Sequence, residues 1–143
     1  MNKLPDMITA LVTESRIVID AFTASVKNEK AGAVATFSGD VRNHDENRDV
    51  LSLTYEIHPS AQTVIEEIAN RIANKHEIIN AAVVHRYGQI PLGESAFVVV
   101  VSSAHRGPAF DACQEIVDVV KTELPIWKFQ VFADGTNEWV NSA

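Results

Sequence analysis

The sequence predicts an α+β fold in one domain. Three observations carry that expectation. Apolar residues alternate at period two in several short segments, which are candidate strands. Two longer segments instead carry apolar residues at helical spacing. Strands and helices then follow one another irregularly, with adjacent strand pairs, which favours α+β over a doubly wound parallel sheet. The 143 residues, 46% hydrophobic and 22% charged, suit one core. No internal repeat, low-complexity tract or linker divides the chain, so residues 1–143 are read as a single domain.

Residues 15–20 (Ser-Arg-Ile-Val-Ile-Asp) read as a short strand, and residues 21–28 as a helical turn or two. A polar break at Lys27-Asn-Glu-Lys30 precedes residues 32–38, whose small and apolar residues read as a buried strand. This runs into Gly39-Asp-Val-Arg42. Residues 43–49 contain no apolar side chain and read as a mobile loop. Residues 50–57 alternate again through Leu51, Leu53, Tyr55 and Ile57 and read as a strand.

Pro59 and Ser60 open a helix. Ala61, Val64, Ile65, Ile68, Ala69 and Ile72 form its apolar stripe, and it ends near Lys75. Residues 78–86 and 95–103 are the next strands, joined through the turn residues of Gly88-Gln-Ile-Pro-Leu-Gly93. Gly107-Pro108 starts the last long helix, since proline suits a first helical turn. Its expected core positions are Phe110, Cys113, Ile116, Val117, Val120 and Leu124. Pro125 ends it. Residues 126–132 and 138–140 read as a closing hairpin around Ala133-Asp-Gly-Thr-Asn137.

Twelve Lys and Arg against 19 Asp and Glu give a formal charge of −7. That argues against a broad nucleic-acid-binding face, which needs a basic stripe. No apolar run approaches the roughly 20 residues of a membrane span. The segment Met1-Asn-Lys-Leu-Pro-Asp-Met7 lacks the features of a signal peptide. With Cys113 alone, no intrachain disulfide is expected, which fits a reducing cytoplasm. Cys113 lies on an apolar helix stripe and reads as core filler. The histidines (44, 58, 76, 85 and 105) form no metal-ligand signature, so no metal is expected. Gly88 and Gly93 lack a following Lys-Ser/Thr and do not make a phosphate-binding P-loop.

The segment Lys121-Thr-Glu-Leu-Pro-Ile-Trp-Lys128 places one lysine on the last helical turn and another beyond a proline. Such a reversal can bring two ammonium groups into one pocket. Like charges held together favour a neutral amine, which serves as nucleophile or general base. The bland alternative is two solvated surface lysines. His85-Arg86 and His105-Arg106 each close a predicted strand. His105-Arg106 also precede a helix start, where free N–H groups and a guanidinium fork suit an anion; the alternative is a solvated strand rim. Arg42 follows Gly39 at the mouth of the 43–49 loop, and glycine permits close backbone approach to a ligand. These cations suit an anionic small molecule, a C-terminal carboxylate, or both.

Four elements occur in order: Phe37-Ser-Gly-Asp-Val-Arg42, His85-Arg-Tyr-Gly88, Ser103-Ala-His-Arg106 with Ala109-Phe110, and Lys121-x-x-x-Pro-Ile-Trp-Lys128. Together with Trp139 they resemble the large, catalytic subunit family of molybdopterin synthase, over roughly residues 15–140. The resemblance implies an α/β-hammerhead fold and the conversion of cyclic pyranopterin monophosphate (precursor Z) into molybdopterin. Two sulfurs would come from a small ubiquitin-like carrier with a C-terminal Gly-Gly thiocarboxylate. It implies a central homodimer with a carrier at each end, a heterotetramer, and no metal or organic cofactor. Carried onto this sequence, Lys121 is the principal catalytic lysine and Lys128 its partner. Arg42, His105 and Arg106 hold the substrate's phosphate and pterin, some of them contributed by the neighbouring subunit.

After Lys128 many members of that family continue with a basic residue and a glutamate, whereas Phe129-Gln130 follows here. This departure puts the placement of Lys128 in question. It also leaves room for a rival reading, a non-catalytic binding module for ubiquitin-like carriers. A second rival is a cofactor-free hydrolase or transferase acting on another phosphorylated heterocycle.

Overall fold

A computed structural model describes residues 7–141. Most of the segment read above for a signal peptide, residues 1–6, lies outside them. The elements run β1 (Met7–Thr13), α1 (Ile19–Val26), β2 (Ala33–Asp40), β3 (His44–Asp45), β4 (Arg48–Ile57), α2 (Ala61–Ala73), β5 (Asn80–Arg86), β6 (Gly88–Ile90), β7 (Ser95–Ser103), α3 (Arg106–Glu123), β8 (Ile126–Phe132) and β9 (Asn137–Val140). Among the described residues, no helix is long and apolar enough to cross a membrane.

The architecture is α+β, as the sequence predicts. One sheet has the order β1-β5-β7-β2, with β1 parallel to β5 and the other pairs antiparallel. Its two central strands are buried on both faces, which is why β7 reads as a nearly unbroken valine run. Ala82, Val84, Val98 and Val100 face Ile17 and Val26 at α1. The opposite face, with Ala81, Val83, Phe97, Val99 and Val101, packs into the main core with α2 and α3. The second sheet orders β3-β4-β8-β9, with β6 also on β4. It meets that core through Leu53, Tyr55, Ile90 and Ile126.

Three expectations are corrected. The first strand is Met7–Thr13 and not residues 15–20. Ile17 looks like part of a strand because it sits in an alternating segment. Its burial is against α1, while Val18 is exposed, so this stretch anchors a helix start instead. Residues 43–49 are not a plain loop. Glu46 and Asn47 both have positive φ (49° and 66°), the signature of a two-residue hairpin turn. His44 and Asp45 pair with Asp49 and Arg48 across it. An edge hairpin held by backbone bonds needs no apolar residue, so the period-two signal is missing. Phe110 is not core but 62% exposed. The buried stripe of α3 runs through Ala109, Ala112, Cys113, Ile116, Val117 and Val120, and Phe110 lies beside it. Cys113 is core filler as read. It is buried, its thiol faces the Val99 carbonyl, and burial pushes that thiol up to about 11.

Candidate active site

Three of the five expected site residues line one cavity of about 220 Å³: Arg42, Lys121 and Lys128. Each is placed by local chain logic. Lys121 sits on the last turn of α3, and Pro125 stops the helix two residues after its end, so the chain turns directly into β8. In the antiparallel β4–β8 pair Lys128 lies opposite Tyr55, and Gln130 opposite Leu53. Directly opposed residues share a sheet face, so all four side chains face the cavity. Arg42 follows a register shift in β2 between Gly39 and Asp40. The Val41 N–H donates to the Glu94 carbonyl at 3.0 Å, and the Gly93 N–H to the Val41 carbonyl at 2.7 Å. With the Val41 side chain buried, these bonds fix the segment and leave Arg42 at the cavity mouth.

Lys128 is half-buried and Lys121 exposed. Within this chain only Lys128 of the two is partly withdrawn from solvent. The anionic side of the cavity is ordered. Asp45 stands 3.6 Å from the Arg42 guanidinium and accepts a hydrogen bond from Gln130 Nε2 at 2.9 Å. That bond, reinforced by the charges of Lys128, Arg42 and Arg48, holds the Asp45 carboxyl below the usual carboxylate range. Gln130 Nε2 also donates to Glu138 at 3.2 Å, and Glu138 pairs with Arg48 at 3.1 Å. Arg48 in turn lies over the Phe132 ring at 3.7 Å. Asp40 accepts from the Ser38 hydroxyl at 2.6 Å and the Ser95 hydroxyl at 3.1 Å.

Tyr55 and Phe97 line the cavity as well, and His85 lies against both. Burial pushes the Tyr55 hydroxyl up to about 12, which keeps it a neutral donor at pH 7. His85-Arg86, which closes a predicted strand, is neither an anion site nor a solvated rim. His85 is fully buried, stacked on Phe97 and edge-on to Tyr55, with ring centroids 5.2 and 4.9 Å away. Burial, together with the charge of Lys121, pushes its imidazole down to about 4, so the ring is neutral at pH 7. Nδ1 donates to the Arg86 carbonyl at 2.8 Å, and Nε2 has no hydrogen-bond partner among the described residues. Arg86 is committed to Glu94 at 2.7 Å and to the Glu14 carbonyl at 3.2 Å.

His105 and Arg106 do not join the cavity within one chain. They stand exposed at the opposite end of α3 from Lys121, about 22 Å away at 1.5 Å per residue. Sequence reasoning missed Asp45, Tyr55 and Gln130 as cavity residues. Only Gln130 carried a signal, as the departure after Lys128. Among the described residues, no three His, Cys, Asp or Glu side chains gather in a way that could hold a metal ion.

A family model described as "MoaE protein" matches residues 12–123. The chain is 40% identical over 115 residues to the molybdopterin synthase catalytic subunit of Thermoplasma volcanium, covering 80% of this chain and 84% of that protein. It is 38% identical over 117 residues to the molybdopterin synthase catalytic subunit of Aspergillus niger, covering 81% of this chain. There it spans only 65% of the relative's length. Among solved structures, that of molybdopterin synthase from Staphylococcus aureus matches with a TM-score of 0.84 and 28% identity, over 92% of this chain and 96% of that one.

Proposed function

The chain belongs to the MoaE family, and from that premise we propose that it is the catalytic subunit of a molybdopterin synthase. Its substrate is precursor Z, and its sulfur donor is the thiocarboxylated Gly-Gly tail of a small ubiquitin-like carrier. The observation that carries this reading is the convergence of Arg42, Lys121 and Lys128 on one cavity of an otherwise acidic protein. Both reactants are anions, and a cationic cavity concentrates them locally.

The carrier's thiocarboxylate sulfur attacks a carbon of the pterin side chain and forms the C–S bond as a C–O bond of that carbon breaks. The oxygen leaves with the opened phosphate at one carbon and, after protonation, as water at the other. This leaves an acyl-thio link between carrier and pterin. Water then cleaves the acyl–sulfur bond, the carrier departs as a carboxylate, and the sulfur stays on the pterin. A second loaded carrier repeats the step, and the cyclic phosphate opens to a terminal monophosphate. Lys121 moves protons during attack and elimination, and Lys128 and Arg42 hold developing and permanent negative charge.

The complete site is assembled by two copies of the chain, in a homodimer that carries one carrier at each end. An apolar groove supports this arrangement. Phe37, Phe110, Cys113 and Val117 line it, with Ala35 and Thr36, beside the outer strand β2. The N-terminus of α3 lies near the start of β2, while Lys121 and Arg42 lie near its other end. A two-fold contact along the groove reverses that direction. It therefore carries His105 and Arg106 of one copy toward the Arg42–Lys121 end of the other.

The test is a turnover assay in the cytoplasmic pH range with precursor Z and a thiocarboxylated carrier, with the dithiolene product detected as its oxidised fluorescent derivative. Product formation supports the synthase. Carrier binding without product overturns it in favour of a binding module.

A further inference from the structure

We propose that Asp45 is a resident competitor for the cavity's anion site: a carboxylate that faces Arg42 until a phosphate displaces it, and that thereby sets the affinity for phosphate. The inference rests on the reading of this cavity as the place where a phosphorylated substrate binds. Asp40 and Asp45 are both cavity-lining carboxylates, but they differ in their ties. Asp40 is held by two hydroxyls on the β2–β7 rim. Asp45 has one firm tie, the hydrogen bond from Gln130, and one loose one, Arg42 at 3.6 Å. The Arg42 side chain is 68% exposed, so this ion pair is weak and exchangeable.

The backbone keeps Asp45 at that place. It opposes Arg48 in the β3–β4 hairpin, and the tight turn at Glu46 and Asn47 leaves little freedom. Gln130 is 3% exposed, and its amide lies between the carboxylates of Asp45 and Glu138. This explains why an amide serves at position 130. A glutamate there would put three carboxylates together. The negative charge beside Lys128 thus comes from the hairpin rather than from β8. An anion entering the cavity meets Arg42 already faced by a carboxylate and must overcome its repulsion. A site that binds phosphate less tightly is less blocked by free phosphate.

The experiment is an NMR titration of the full chain with inorganic phosphate, followed at the Arg42 Nε–H resonance, for the unaltered protein, D45N and D45S. D45N keeps an acceptor for Gln130, and D45S removes both charge and shape. Both are expected to bind phosphate about five- to tenfold more tightly at low ionic strength, with the gain shrinking in salt. The gain is expected to fall below about twofold when D45N is combined with R42A, with tightening then read at cavity backbone amides. Equal or weaker phosphate binding in both folded variants overturns the proposal, as does the absence of saturable phosphate binding in all of them. Neither result depends on turnover. A protein that converts precursor Z yet shows no tightening keeps the synthase reading and loses this one.

Discussion

Lys128 stands directly across the β4–β8 ladder from Tyr55, so an amine and a buried phenol share one wall of the cavity. Lys121 lines the same cavity, reaching it from the last turn of α3. The two lysines thus come from consecutive elements and meet because Pro125 forbids further helix and β8 begins at once. Lys121→Ala is expected to lower turnover on the order of 10²–10⁴-fold, the usual range for loss of a positioned proton-transfer group. Lys121 is exposed, so stability should stay within about 0.5 kcal/mol. Single-turnover kinetics beside a carrier-binding measurement checks this. Retained turnover would sink the assigned role.

His85 couples the cavity floor to pH. Its folded value of about 4 lies below the 6.5 of an ordinary histidine, so the unfolded chain binds a proton first as pH falls. Stability from this group is therefore full above pH 6.5 and declines toward pH 4, by on the order of 3 kcal/mol in total. Between pH 6.5 and 5 most carboxylates have not begun to titrate, and the difference between the unaltered protein and a His85 variant separates this ring from the other four histidines. Urea melts at several pH values should show a steeper slope in the unaltered protein than in His85→Phe. An unchanged slope in the variant would assign it elsewhere.

Gly32 packs against the His105–Arg106 end of the proposed composite site. A Cβ at this position would sit 2.7 Å from the Ala104 backbone carbonyl oxygen, one residue before His105. The backbone itself must give way. Gly32→Ala is expected to cost about 1–3 kcal/mol, as overpacking does. It should also perturb the amide resonances of His105 and Arg106 more than those of Lys128. Thermal melts and an amide spectrum decide it, and an unshifted spectrum at full stability would show that the contact is slack.

Much of this was legible in the sequence because it rests on periodicity and on proline. The α2 stripe, the valine-rich β7 and the Pro125 stop all follow from local rules, and Lys121 and Lys128 follow from that stop. The hairpin at residues 44–49 was not legible, since its pairing is edge backbone bonding with polar side chains. Asp45 was hidden with it. His85 misled for a related reason. Position at a strand end says nothing about which face a side chain takes, and here it faces the core under Tyr55 and Phe97. His105 and Arg106 were legible as residues at a helix start. The 18-residue length of α3 then separates them from Lys121 within one chain.

That separation makes a direct test of the two-copy site possible. Lys121→Ala removes the lysine from its own cavity, and Arg106→Ala removes the arginine that its copy lends to the partner. Each homodimer then has two defective sites. In mixed dimers one site draws Lys121 from the arginine variant and Arg106 from the lysine variant, and is complete. Random pairing makes half of the dimers mixed, each with one complete site, so refolding equal amounts together should restore about a quarter of the unaltered turnover. Phe110→Asp, placed in the apolar groove, should abolish this recovery and leave monomers by light scattering, because a buried unpaired charge opposes the contact. If co-refolded variants stay as inactive as each alone while dimers form, the arginine acts within its own chain or not at all, and the composite site is wrong.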